Sequence, residues 1–170
     1  MALVAFYDDK TIGSRQVLAG WRLLYGENLS VVLPDTYTTD LFLSKILTPD
    51  EARMWAAIRQ DSGDPKAFVD KVLVYYHKHR IDPMSKTIIF SDGLDTRSAI
   101  DLARYCQGKI KCLFGIGTSF TNNVGLKPLK IVIKIVQLMG SDGAWIPAVK
   151  ESDDPAKSTG LASLKAAARA

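Results

Sequence analysis

Residues 86–118 constrain the fold of this chain more than any other stretch, because an apolar run, an acidic glycine loop, a helical pattern, a second apolar run and a second glycine loop follow one another there. Lys86-Thr87-Ile88-Ile89-Phe90 is β-branched and lacks polar alternation, the pattern of a parallel strand covered on both faces. It stops at Ser91-Asp92-Gly93-Leu94-Asp95. Asp95 is placed to cap a helix over Thr96–Cys106, where Ile100, Leu102, Ala103 and Cys106 recur near helical spacing. The next strand, Lys111-Cys112-Leu113-Phe114, ends at Gly115-Ile116-Gly117-Thr118. Such a β-loop-α-β-loop unit sets both loops at the carboxyl ends of parallel strands, where α/β folds hold their ligands. Glycines there bring bare backbone N–H groups to an anion, and the expected anion is a phosphate.

The remaining sequence fits one α/β domain over residues 1–170. With 47% hydrophobic and 24% charged residues in 170, the chain has enough apolar material for one sizeable core. Its net charge of +4 suits a small anionic substrate. The basic residues are scattered, and no basic run is interleaved with aromatics, so nucleic acid is not expected as a partner. No apolar run is long enough to span a bilayer, and residues 1–10 carry Asp8 and Asp9 without a basic leader region, so no membrane role and a cytoplasmic location are expected. Cys106 and Cys112 lack Cys-x-x-Cys spacing and have no neighbouring histidine, which makes them core thiols. His77 and His79, two apart, point to different sides and cannot share a metal; no metal site is expected.

Taken in order, residues 1–7 read as extended, and Ser14 is expected to cap a helix through Tyr25 that Gly26 ends. Residues 29–33 read as a strand running into Pro34-Asp35-Thr36-Tyr37-Thr38-Thr39-Asp40, with Asp35 a site candidate and Asp40 the cap of a helix over 41–46. Thr48-Pro49-Asp50-Glu51 has capping-box spacing with proline in the first turn. Residues 54–58 fit either more helix or a short strand. Asp64 and Pro65 suit the start of a helix over 66–79, but local structure does not explain Arg59 and Asp61, opposite charges on one side of a strand end. Residues 119–127 read as a loop, 131–136 as the most strand-like run, and Gly140-Ser141-Asp142-Gly143 as the turn of a hairpin returning through 144–149. A charged loop over 150–160 and an alanine-rich helical tail over 161–170 complete the chain.

Four motifs in order carry a resemblance: Arg59-x-Asp61-Ser62-Gly63-Asp64-Pro65, Phe90-Ser91-Asp92-x-Leu94-Asp95, Phe114-Gly115-Ile116-Gly117-Thr118, and Lys127-Pro128-Leu129-x-Ile131-Val132-Ile133-Lys134. With them the chain resembles the nicotinate phosphoribosyltransferase family, and the likeness extends to residues 33–42 and 150–160. Two departures are Ala156, where the family usually has glycine, and Gln60, where many members have histidine. The likeness covers the C-terminal half of the family's length, so the expectation is a C-terminal fragment, lacking the ATP-phosphorylated histidine segment and the arginine-rich segment. The resemblance implies an irregular partial (β/α) barrel of parallel strands with a C-terminal β-hairpin. It also implies phosphoribosyl pyrophosphate and nicotinate as substrates, ATP and Mg2+ as family cofactors, and a missing N-terminal half or a second subunit as partner.

By that similarity Asp61 would hold the ribose hydroxyls, Arg59 would lie by the pyridine ring, and Asp35 would line the pocket. Ser91, Asp92, Gly93, Gly115, Gly117 and Thr118 would surround the 5′-phosphate. Asp92 and Asp95 could meet a magnesium ion through water, with the helix cap the preferred reading of Asp95. A closed barrel has eight strands and typically about 250 residues, whereas about four parallel strands can be placed here. The rival to the enzyme is a non-catalytic phosphate-binding or complementing module. A third reading, a generic sugar-phosphate barrel enzyme such as an aldolase or isomerase, finds no candidate catalytic lysine or histidine at a strand end of this chain and leaves Arg59-x-Asp61 unexplained.

Overall fold

Short apolar runs alternate with well-capped helices, and the computed structural model, which describes residues 2–127, 129 and 131–162, shows what they build. Strands β1 (Val31–Val32), β2 (Ala57–Gln60), β3 (Thr87–Phe90) and β4 (Lys111–Phe114) form one parallel sheet in the order β1-β2-β3-β4. The register aligns Val32 with Ile58, Ile58 with Ile88, and Ile88 with Cys112. All four carboxyl ends therefore open on one side, the side on which α/β folds hold their ligands.

Helix α1 (Lys10–Tyr25) precedes β1, followed by the short α2 (Thr39–Leu41), a π-helical turn at Phe42–Ile46, and α3 (Pro49–Met54). Helices α4 (Pro65–Lys78) and α5 (Thr96–Cys106) link β2 to β3 and β3 to β4. The capping box at Thr48 and Glu51 forms, and Asp64 and Asp95 cap α4 and α5 by accepting from the Ala67 and Ser98 amides. Phe68, Val69, Val72, Tyr75 and Tyr76 of α4 and Leu102 and Cys106 of α5 join Ile58, Ile88 and Phe90 in the core. Each such aliphatic or aromatic side chain removed from water contributes about 1.5–3 kcal/mol.

The sheet departs from the expectation that both faces are covered. Ile88 and Phe90 are wholly buried, but the alternating row on the other face, Arg59, Ile89 and Leu113, is half-buried to exposed. The helices shield one face of the pleat, and successive side chains point to opposite faces.

Other expectations are corrected by local chemistry. Residues 2–6 form a 3-10 turn instead of an extended segment. α1 starts at Lys10 with Asp9 as cap, its carboxylate accepting from the Ile12 amide, which leaves Ser14 buried inside the helix. Thr38, not Asp40, caps α2, while Asp40 makes an ion pair with Lys71 at 2.8 Å. The expected loop after Thr118 contains a short helix, α6 (Thr118–Thr121). Residues 131–136 make no strand; pairing begins only at β5 (Gln137–Met139), antiparallel to β6 (Trp145–Pro147) across the expected turn. The helical tail expected over 161–170 lies, beyond Ala162, outside the described residues.

Candidate functional site

Each strand end carries part of the site. After β1, Pro34 leads to Asp35, 2% exposed. Its Oδ2 accepts from Lys150 Nζ at 2.8 Å and Ser62 Oγ at 3.0 Å, with Ser152 Oγ at 3.4 Å. Asp35 is thus brought to the strand ends, but it faces protein groups on all these contacts.

After β2, Arg59 and Asp61 lie on one side of the strand, as their spacing demands, with Nη2 and Oδ2 3.4 Å apart. Both remain reachable from solvent, the side chains 42% and 26% exposed. Ser91, on the neighbouring strand end, has its hydroxyl 3.2 Å from Asp61 Oδ1 and 3.1 Å from the Gln60 carbonyl. Gln60 is buried and shapes the turn, its amide donating to the Ser62 and Gly63 carbonyls at 3.0 and 3.1 Å. Gly63 adopts φ +76, a conformation that side chains resist, and so leads the chain into Asp64 and α4.

The Ser91-Asp92-Gly93 turn follows β3, with Gly93 at φ +59. Asp92 Oδ1 lies 2.5 Å from Lys157 Nζ. After β4, the Gly115 amide donates to the Phe90 carbonyl at 2.8 Å, which ties this loop to the preceding strand end. Among the described residues nothing lies within 4 Å of the place where a side chain on Gly117 would begin, so the backbone there borders open space. Thr118 opens α6. The two glycine loops therefore share one side of the sheet with Arg59 and Asp61.

The segment over 150–159 crosses these strand ends. Lys150 and Thr159 form an antiparallel bridge at its base. The Glu151 amide donates to the Thr36 carbonyl at 2.8 Å, and Thr39 donates through its amide and hydroxyl to the Asp153 carboxylate. Ser152 is buried with φ +61, an unfavourable conformation held by these surrounding contacts. Sequence reasoning picked out the charged loop but not Lys150, Ser62, Ser152 or Lys157 as site-forming; the signal was the pair of lysines flanking the Ser-Asp-Asp run.

The sequence profile of the Nicotinate phosphoribosyltransferase (NAPRTase) family matches residues 8–169. Among similar proteins, nicotinate phosphoribosyltransferase of Desulforapulum autotrophicum is 43% identical over 144 residues, covering 84% of this chain and 37% of that protein. Its counterpart in Methanosarcina mazei is 42% identical over 151 residues, covering 86% and 36%. The crystal structure of nicotinate phosphoribosyltransferase from Porphyromonas gingivalis superposes with a TM-score of 0.91 at 38% identity, covering 98% of this chain and 43% of that one. The Vibrio cholerae structure does so at 0.81 and 32%, covering 92% and 38%. The chain thus spans 36–43% of the length of these relatives.

Proposed function

The chain belongs to the nicotinate phosphoribosyltransferase family, and from that membership we propose that its strand-end site serves the joining of nicotinate to phosphoribosyl pyrophosphate, with release of pyrophosphate, in NAD biosynthesis. The observation that carries this reading is the meeting of Arg59, Asp61 and Ser91 on adjacent strand ends, beside two glycine turns. Transfer at the ribose C1 builds positive charge on the sugar ring, so a carboxylate nearby lowers the barrier. Asp61 accepts from the ribose hydroxyls and opposes that charge. Arg59 attracts the carboxylate of the pyridine acid, and a guanidinium's fixed fork of donors suits that planar group.

The turns containing Ser91, Asp92, Gly93, Gly115, Gly117 and Thr118 offer backbone N–H groups and hydroxyls to the 5′-phosphate. Asp35, buried against Lys150, orders the site from behind. Among the described residues no three carboxylate, histidine or thiol side chains converge on a point, and Asp92 is already paired with Lys157. No step here is assigned to the Mg2+ and ATP that the family implies.

Asp61→Asn tests the reading, since it keeps shape and removes charge. Loss of a charge-assisted bond costs about 1.5–3 kcal/mol, roughly tenfold to more than a hundredfold. Phosphoribosyl pyrophosphate affinity by calorimetry, and kcat/KM where the segment is joined to a polypeptide of its relatives' length, should fall by that factor with the melting temperature little changed. Early melting with normal affinity per folded molecule would make Asp61 structural. Binding that survives with no turnover in the longer polypeptide would favour the phosphate-binding module.

A further inference from the structure

Lys157 ends the short 3-10 turn Pro155–Lys157 and sends its ammonium group between two strand ends. Nζ lies 2.5 Å from the Asp61 carbonyl oxygen, after β2, and 2.5 Å from Asp92 Oδ1, after β3. An ammonium has three donors, and two of these are committed to the protein. The lysine is also held from behind. Asp154 caps its turn through the Ala156 amide at 2.9 Å, and Lys134 Nζ donates to the Lys157 carbonyl at 2.9 Å. A side chain anchored at its base and spanning two loops fixes the distance between them. Without that ammonium, the Asp61 and Asp92 carboxylates, 26% and 30% exposed, would sit on adjacent strand ends with no cation between the loops that carry them.

We propose that Lys157 is a positioning residue for phosphoribosyl transfer: it staples the loop after β2 to the loop after β3, so that the Asp61 carboxylate and the Ser91-Asp92-Gly93 turn hold one arrangement before substrate arrives. The functional half of this inference rests on the phosphoribosyl reading of the site; the staple itself does not. Preorganised groups of this kind gain their effect by removing the ordering cost from the binding step.

The test uses the 170-residue chain with Lys157→Met, Lys157→Arg, Asp92→Asn and the double variant Asp92→Asn/Lys157→Met. Amide hydrogen exchange is followed over residues 61–63 and 91–93 and, as reference, over α5. Lys157→Met should speed exchange in both loops by about tenfold with α5 unchanged, because a local opening is made easier while the global one is not. Lys157→Arg should restore most of the protection.

In calorimetry with phosphoribosyl pyrophosphate, Lys157→Met should lose about tenfold in affinity, and the double variant should be no worse than the weaker single one, since both remove the same link. Unchanged loop exchange refutes the staple, and exchange rising equally in α5 makes Lys157 a general stability residue. Losses that multiply in the double variant show a direct ligand contact instead. If the unsubstituted chain binds no phosphoribosyl pyrophosphate, the phosphoribosyl reading fails while the exchange measurements still decide the staple.

Discussion

Removing the Asp35 carboxylate should damage this protein through its fold. The carboxylate is 2% exposed, the Lys150 side chain 12%, and they meet at 2.8 Å. Asp35→Ala leaves the Lys150 ammonium without a counter-charge and the Ser62 hydroxyl without its acceptor. Breaking one side of a buried pair costs about 3–5 kcal/mol. Lys150 keeps a small path to water, so about 3 kcal/mol is expected, a large share of a typical total of about 5–15 kcal/mol. For a domain of this size that is a fall of roughly 6–12 °C in Tm. Urea unfolding followed by circular dichroism should show the midpoint falling at constant slope. Asp35→Leu with Lys150→Met removes both charges and should recover most of the loss, since an apolar pair of similar volume replaces a buried ion pair at little cost. A loss under about 1 kcal/mol in Asp35→Ala, or a double variant as unstable as the single one, would refute the closed-pair argument.

Gly117→Val should leave the melting temperature nearly unchanged, because no described residue lies within 4 Å of the new Cβ, yet should abolish phosphoribosyl pyrophosphate binding in calorimetry by filling the space the phosphate needs. Unchanged affinity would remove that loop from the site. Burial pushes the Cys106 thiol from its ordinary 9.0 up to about 12. A folded value raised above the unfolded one favours the neutral thiol, so its stabilising contribution is whole below pH 9.0 and is lost as pH rises towards about 12. At pH 8 a thiol-specific reagent should therefore modify Cys106 only as fast as the protein unfolds, and rapid labelling at Cys106 itself, distinguished from the less buried Cys112 by peptide mapping, would contradict its burial.

What the sequence made legible is what local chemistry decides. Thr96–Cys106 and Lys111–Phe114 have their expected limits, because Asp95 caps one and the glycines of Gly115-Ile116-Gly117 end the other. Arg59 and Asp61 share a side of their strand as spacing alone required. The errors arise where two local solutions compete. Asp9 and Ser14 are both good caps, and the additional helical turn won; Thr38 and Asp40 competed likewise, and Lys71 on α4 claimed Asp40. At 131–136 the β-branched composition was a sound signal, but a strand also needs a neighbour to accept its hydrogen bonds, and those side chains stand largely exposed. Lys150 and Lys157 stand out in the sequence only as lysines flanking the Ser-Asp-Asp run; their carboxylate partners, Asp35 and Asp92, lie far upstream and are met only through tertiary folding.

The charges at the strand ends explain how the proposed phosphate-binding site can do without a basic cluster in the sequence. Asp35, Asp61 and Asp92 follow β1, β2 and β3, and each has a cation: Lys150 at 2.8 Å, Arg59 at 3.4 Å and Lys157 at 2.5 Å. Three unpaired carboxylates would repel a substrate bearing phosphates, whereas three pairs present it with little net charge and many aligned donors. The pairs differ in how firmly they are closed. Asp35–Lys150 is buried and Asp92–Lys157 is about one-third exposed, but Arg59 keeps 42% of its side chain in solvent and makes the longest of the three contacts. A surface pair of that length contributes at most about 1 kcal/mol, so turning Arg59 to a ligand carboxylate sacrifices little. Releasing Lys150 would strand a buried charge. Of the three cations Arg59 is thus the one the fold leaves available for exchange, which supports giving the pyridine acid to it and the holding of the site to the two lysines.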